Sequence, residues 1–145
     1  MARNRRLNLV RSKTRPGEFM KVAFASTDKV HINEHFGKAK EFYLWEIGPD
    51  AAEFTGILQV DEGDGDADDR IEARSAALAD CALVYVGQIG GPAAARLVAK
   101  KIHPLKSKTA EPITEVVTRL QEVLRGSPPP WLRKAMMKNA GAAKG

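Results

Sequence analysis

Three histidines and one cysteine, His31, His35, His103 and Cys81, are the side chains of this chain best suited to hold a soft or borderline metal. Two of them fall in one short stretch, His31-Ile32-Asn33-Glu34-His35-Phe36-Gly37. Neutral imidazole is a good ligand for iron, and a reference pKa of about 6.5 leaves it substantially neutral near pH 7. His35 is the leading candidate ligand. Gly37 is expected to let the backbone turn closely, and Phe36 to pack under the loop and fix the direction of His35. The same residues also fit an ordinary loop whose histidines bond to backbone. Cys81 offers the softest ligand, but it opens an apolar run, where burial raises a thiol's pKa and lowers its reactivity. As the single cysteine it excludes an intramolecular disulfide and any metal site built from several cysteines of one chain. His103, followed by Pro104, is a reserve ligand, and His31 a secondary one.

A second candidate is Gly87-Gln88-Ile89-Gly90-Gly91-Pro92, a glycine-rich turn between an apolar run and a helical one. Exposed N–H groups and the helix dipole would favour an anion near Gly90 and Gly91. No Gly-Lys-Ser/Thr follows, and the spacing is not that of a dinucleotide fingerprint, so nucleotide phosphate is not the expected ligand. A tight packing turn explains the same glycines. The run Asp61 to Asp69 crowds its carboxylates into one glycine-rich stretch without the calcium-hand pattern, whereas metal-assisted hydrolysis needs carboxylates converging from separate rigid elements. It reads as a solvated acidic loop, which disfavours a metal-dependent nuclease. There is no Gly-x-Ser-x-Gly elbow. No catalytic residue and no enzyme activity are expected.

These candidates depend on the elements that carry them. Lys21–Ser26 is a short apolar run with β-formers, predicting a buried central strand that ends in the His35 loop. Glu41–Ile47 and Glu53–Val60 flank the turn signal Gly48-Pro49-Asp50 and predict an antiparallel hairpin. Arg70–Ala79 is helical in spacing, Cys81–Val86 is an apolar strand, and Pro92 suits the first position of a helix running to Ala99. Ile102–Lys106 predicts a short strand. A last helix opens at Glu111-Pro112, carries Ile113, Val116, Val117, Leu120, Val123 and Leu124 at helical spacing, and stops at Gly126. The order β-β-β-α-β-α-β-α predicts one α/β domain, a mixed five-stranded sheet with helices on its faces.

At 145 residues the chain suits one compact domain plus tails. The expected division is a basic flexible arm over 1–19, a folded domain over 20–126 and a Pro-rich basic tail over 127–145. The net charge of +5 is concentrated in those tails. Arg3, Arg5, Arg6, Arg11, Lys13 and Arg15 precede the first strand, and Arg133, Lys134, Lys138 and Lys144 follow the last helix. Such tails attract nucleic acid, acidic proteins or anions alike, and are expected here to be mobile and solubilising. No apolar run approaches the roughly 20 residues that span a bilayer, so a cytoplasmic protein acting on neither membrane nor nucleic acid is expected.

Met20–Ser26, His35-Phe36-Gly37, Asp80–Val84 and Ile89–Ala95 occur in an order that resembles the dinitrogenase iron–molybdenum cofactor biosynthesis family, over roughly Met20 to Arg125. Lys101–Lys106 and Ser127–Lys134 resemble one branch of it in particular. The resemblance implies a ribonuclease-H-like fold without nuclease chemistry. It also implies an accessory role in nitrogen fixation, binding and transferring an iron–sulfur precursor of the nitrogenase cofactor. Its partners would be the enzyme that supplies the precursor and the scaffold proteins of assembly. His35 matches the family's cofactor-binding histidine, with Phe36 and Gly37 beside it, and Gly90 and Gly91 match a second motif. The alternative is an adaptor for apo-nitrogenase or its scaffold that touches no cluster, with Trp131 after Pro128-Pro129-Pro130 as its aromatic anchor.

Overall fold

The computed structural model describes residues 19–60 and 66–144, with side chains to Lys138. The basic arm before Phe19 and the first part of the acidic run lie outside the described residues. Five strands, β1 (Met20–Ala25), β2 (Glu41–Ile47), β3 (Ala52–Gln59), β4 (Leu83–Val86) and β5 (His103–Lys106), form one sheet in the order β3-β2-β1-β4-β5. β1 pairs antiparallel with β2 and parallel with β4; β2–β3 is antiparallel and β4–β5 parallel. This is the mixed five-stranded α/β sheet with helices expected from the sequence.

β1 is central because every residue from Val22 to Ala25 is apolar and can be buried on both faces. Met20, Val22 and Phe24 enter one core with helix α3 (Ile113–Arg125). Ala23 and Ala25 enter the other, with Leu78 just beyond helix α1 (Ala67–Ala77) and Ala93 and Leu97 of helix α2 (Gly91–Ala99). Fully burying a side chain such as Phe24 or Leu83 contributes about 1.5–3 kcal/mol. α1 begins at Asp66, whose carboxylate accepts the Asp69 N–H while Asp69 returns a bond to the Asp66 N–H, a complete capping box. The later part of the acidic run therefore starts a helix.

The C-terminal segment differs from the mobile tail expected. Pro130–Lys144 is a helix, α4, and its Leu132 and Ala135 are buried in the α3-side core. The Trp131 ring stacks on His103 with centroids 4.8 Å apart, and Lys138 Nζ donates to the carbonyls of Cys81, Lys100 and Lys101. Leu132, Ala135 and Met136 fall at i, i+3 and i+4, so one short stripe anchors the helix despite its charged neighbours. No helix among the described residues is long and apolar enough to cross a membrane.

Candidate functional site

Strands β1, β4 and β5 run parallel, so their carboxyl ends share one edge of the sheet. From β1 the chain first builds outward through β2 and β3 and then returns to place β4 on the other side. Such a reversal leaves a crevice between the loops that follow the two parallel strands. The loop after β1 carries His35; the loop after β4 carries Gly87 and Gln88.

These loops are joined backbone to backbone. Gly87 N–H donates to the Glu34 carbonyl at 2.8 Å and Phe36 N–H to the Gln88 carbonyl at 2.8 Å, pairing His35 with Gln88 in parallel. On the other side, Ile32 N–H donates to the Glu111 carbonyl and Ile113 N–H to that of Val30, tying the His35 loop to the segment after β5. Thr27 N–H donates to Asn33 Oδ1. The His35 loop is thus held between two neighbours along most of its length.

Gly87 is the glycine this closeness requires. A Cβ there would sit 3.3 Å from the Asn33 carbonyl carbon and from the Glu34 oxygen. Gly37, expected to permit a close turn, has open space where a Cβ would be, as has Gly91, and neither has a left-handed backbone. Phe36 lies under the loop, fully buried, its ring 6.0 Å from that of Phe42. Below the short turn Phe36–Lys38, the buried Arg74 donates from Nε and Nη2 to the Ala39 carbonyl at 3.1 and 2.9 Å. A rigid base therefore carries an exposed imidazole, as a positioned ligand requires.

His35 borders a shallow depression of about 220 Å³, with Asn33, Gln88, Ser107, Lys108 and Thr109 around it. Glu34 faces a second hollow of about 600 Å³ with Lys38 and Lys40 on its wall. Lysines therefore stand on both sides of the His35 loop. The N-terminus of α2 at Gly90 and Gly91 follows Gln88 by two residues and has no side-chain cap. The segment 107–111 is braced by Glu111, which accepts from Ser107 Oγ at 2.8 Å and Arg119 at 2.8 Å. The Ser107 bond first, then Arg119, holds the Glu111 carboxyl below the ordinary glutamate range.

The remaining candidate ligands lie elsewhere. Cys81 is buried before β4, at the opposite end of the sheet, and burial pushes its thiol up to about 11. His103 opens β5 at that same far end, under Trp131. His31 Nδ1 lies 2.7 Å from Asp28 Oδ2 on the His35 loop itself. Among the described residues no three His, Cys, Asp or Glu side chains gather as a metal site. Ser26, Asp28 and His31 do not form a nucleophilic triad, because Ser26 Oγ meets Asp28 and the Asp28 and Lys29 N–H groups rather than the imidazole. What the arrangement can do is present the exposed His35 imidazole, with lysines on either side of its loop, to an anion.

A family model described as dinitrogenase iron–molybdenum cofactor matches residues 19–123. Over 122 residues the chain is 45% identical to the protein NifX of Herbaspirillum seropedicae, covering 82% of this chain and 83% of that one. It is 33% identical over 127 residues to the FeMo cofactor biosynthesis protein NifB of Bradyrhizobium diazoefficiens, covering 76% of this chain and 25% of the other. A crystal structure from Methanocaldococcus jannaschii, described provisionally as a dinitrogenase, superposes with a TM-score of 0.51 at 16% identity. It covers 73% of this chain and 91% of that one, a likeness of fold.

Proposed function

Since the chain belongs to the dinitrogenase iron–molybdenum cofactor family, with NifX proteins among its relatives, we propose that it serves nitrogenase cofactor biosynthesis as a carrier, binding an iron–sulfur precursor at His35 and passing it on. The observation that carries this reading is the exposed imidazole on a braced loop, at the strand reversal and between lysines. His35 donates a nitrogen lone pair to one iron. Lys38, Lys40 and Lys108, with the N–H groups at the start of α2, offset the negative charge of the cluster. Cys81 is too remote and too firmly protonated to compete.

A sparse grip suits transfer. Several thiolates would hold a cluster against release, whereas imidazole ligation with screened electrostatics lets it move to the next protein. The supplying enzyme and the scaffold proteins of assembly are the partners this role requires, met transiently. No step is assigned to a nucleophile, and the protein acts without catalysis. Anaerobic gel filtration with purified precursor tests the reading: iron co-eluting with the protein alone supports carriage, and no uptake favours the adaptor.

A further inference from the structure

His31 is held in a way that His35 is not. Asp28 Oδ1 accepts the N–H groups of Val30 at 2.9 Å and His31 at 2.8 Å and the Ser26 hydroxyl at 3.1 Å, so the carboxylate is fixed in place. Its other oxygen, Oδ2, lies 2.7 Å from His31 Nδ1. An ionised carboxylate only accepts, so Nδ1 carries the proton, and in the neutral ring Nε2 carries the lone pair. A carboxylate on the second ring nitrogen is the arrangement that orients metal-binding histidines and raises their basicity. The His31 side chain is 42% exposed, so Nε2 is within reach of a ligand.

The backbone relates this ring to His35. The segment from His31 to His35 is pinned at both ends, by the His31–Pro112 and His35–Gln88 bridges. Ile32 is buried in the core, whereas His31, Asn33, Glu34 and His35 are half or fully exposed. The four residue steps from His31 to His35 span at most about 14 Å. Two imidazoles within that reach on a loop pinned at both ends can meet different atoms of a body several ångströms across. The absence of any three-ligand group among the described residues fits a grip at two separated points.

We propose that the Asp28–His31 pair is a second attachment point for the iron–sulfur cargo, so that His31 Nε2 and His35 take two different irons of one anionic cluster. The inference rests on the reading of His35 given above. Each imidazole donates its lone pair to one iron and displaces that iron's exchangeable ligand, a thiolate where the cluster is thiolate-ligated, which leaves with its electron pair; no electron is transferred. Asp28 is a positioning residue that acts through His31.

The test uses the full chain, ¹⁵N-labelled at histidine and loaded anaerobically with a synthetic thiolate-ligated [4Fe–4S] cluster reduced by dithionite. Pulsed EPR then counts the coupled imidazole nitrogens. Wild type shows two, and His35→Ala and His31→Gln each show one. His31→Gln is chosen because it keeps a polar side chain of similar length and offers no imidazole nitrogen. Asp28→Asn keeps both couplings but holds the cluster roughly 10-fold less tightly. If wild type shows one nitrogen and His35→Ala none, the His31 proposal is overturned while His35 stands as a ligand. If wild type shows none, both readings fall. The His35→Ala count decides between one and two attachment points even if His31→Gln does not fold.

Discussion

Adding one methyl group at Gly87 tests whether the His35 loop is held by the loop after β4. The new Cβ of Gly87→Ala meets the Asn33 carbonyl carbon and the Glu34 oxygen at 3.3 Å and the Glu34 nitrogen at 3.4 Å. All three are backbone atoms and cannot rotate aside. The loop must retreat by a few tenths of an ångström, stretching the Gly87 N–H bond to Glu34 and the Phe36 N–H bond to Gln88. Overpacking of this kind costs about 1–3 kcal/mol. Replacing glycine by alanine also restricts the unfolded chain, which returns about 0.4–1 kcal/mol. The net loss is about 1 kcal/mol, or roughly 2–4 °C in Tm for a chain of this size. Gly91→Ala meets open space and keeps only the favourable part, so its Tm rises. Thermal unfolding followed by circular dichroism reads both variants. A Gly87→Ala protein as stable as wild type, or the same sign for the two substitutions, would refute the reasoning.

Three further outcomes follow from the packing and ionisation of named residues. Leu132→Ala, at a position 1% exposed, lowers stability by about 2–5 kcal/mol in urea unfolding, whereas Met137→Ala, 69% exposed, changes it by about 0.5 kcal/mol or less. An equal small effect from both would detach α4 from the core. Cys81, buried and with its thiol pushed up to about 11, resists a thiol reagent at pH 8 in the native protein and reacts in denaturant; rapid native labelling contradicts its placement. Glu111 has its folded pKa depressed, so its contribution to stability is present above the unfolded value of about 4.3 and is lost as pH falls through the folded one. Glu111→Gln is therefore less stable than wild type at pH 7, and the gap narrows in acid; a constant gap in unfolding curves from pH 7 to 3 would show that the carboxylate's ionisation is not what matters.

Much of the fold is legible in local sequence because its strands and helices are strongly patterned. The run around Val22 and Phe24 reads as a central strand, and the spacing of Ile113, Val116, Leu120 and Leu124 reads as a helix with one buried face. α4 was harder to see, since its buried stripe is short and lies among Arg133, Lys134 and Lys138. The His35 loop and the glycine-rich turn stand out by residue type, but the meeting of His35 with Gly87 and Gln88 depends on strand order, which no local window contains. For the same reason Gly87, though visible within its glycine-rich turn, shows its need for glycine only once Glu34 is packed against it. Lys108 and Arg74 carried no signal, one in a polar turn and the other within a charged helix. Cys81 and His103 are chemically able to bind metal, yet the fold places both at the end of the sheet away from His35.

An anaerobic titration of the full chain with isolated cofactor precursor, reading bound iron per chain for wild type and His35→Ala, tests carriage at His35. Wild type is expected to take up iron saturably, and the variant to bind at least about 10-fold more weakly, equivalent to about 1.4 kcal/mol. Equal affinity of the two proteins, or no uptake by wild type, would contradict carriage at His35.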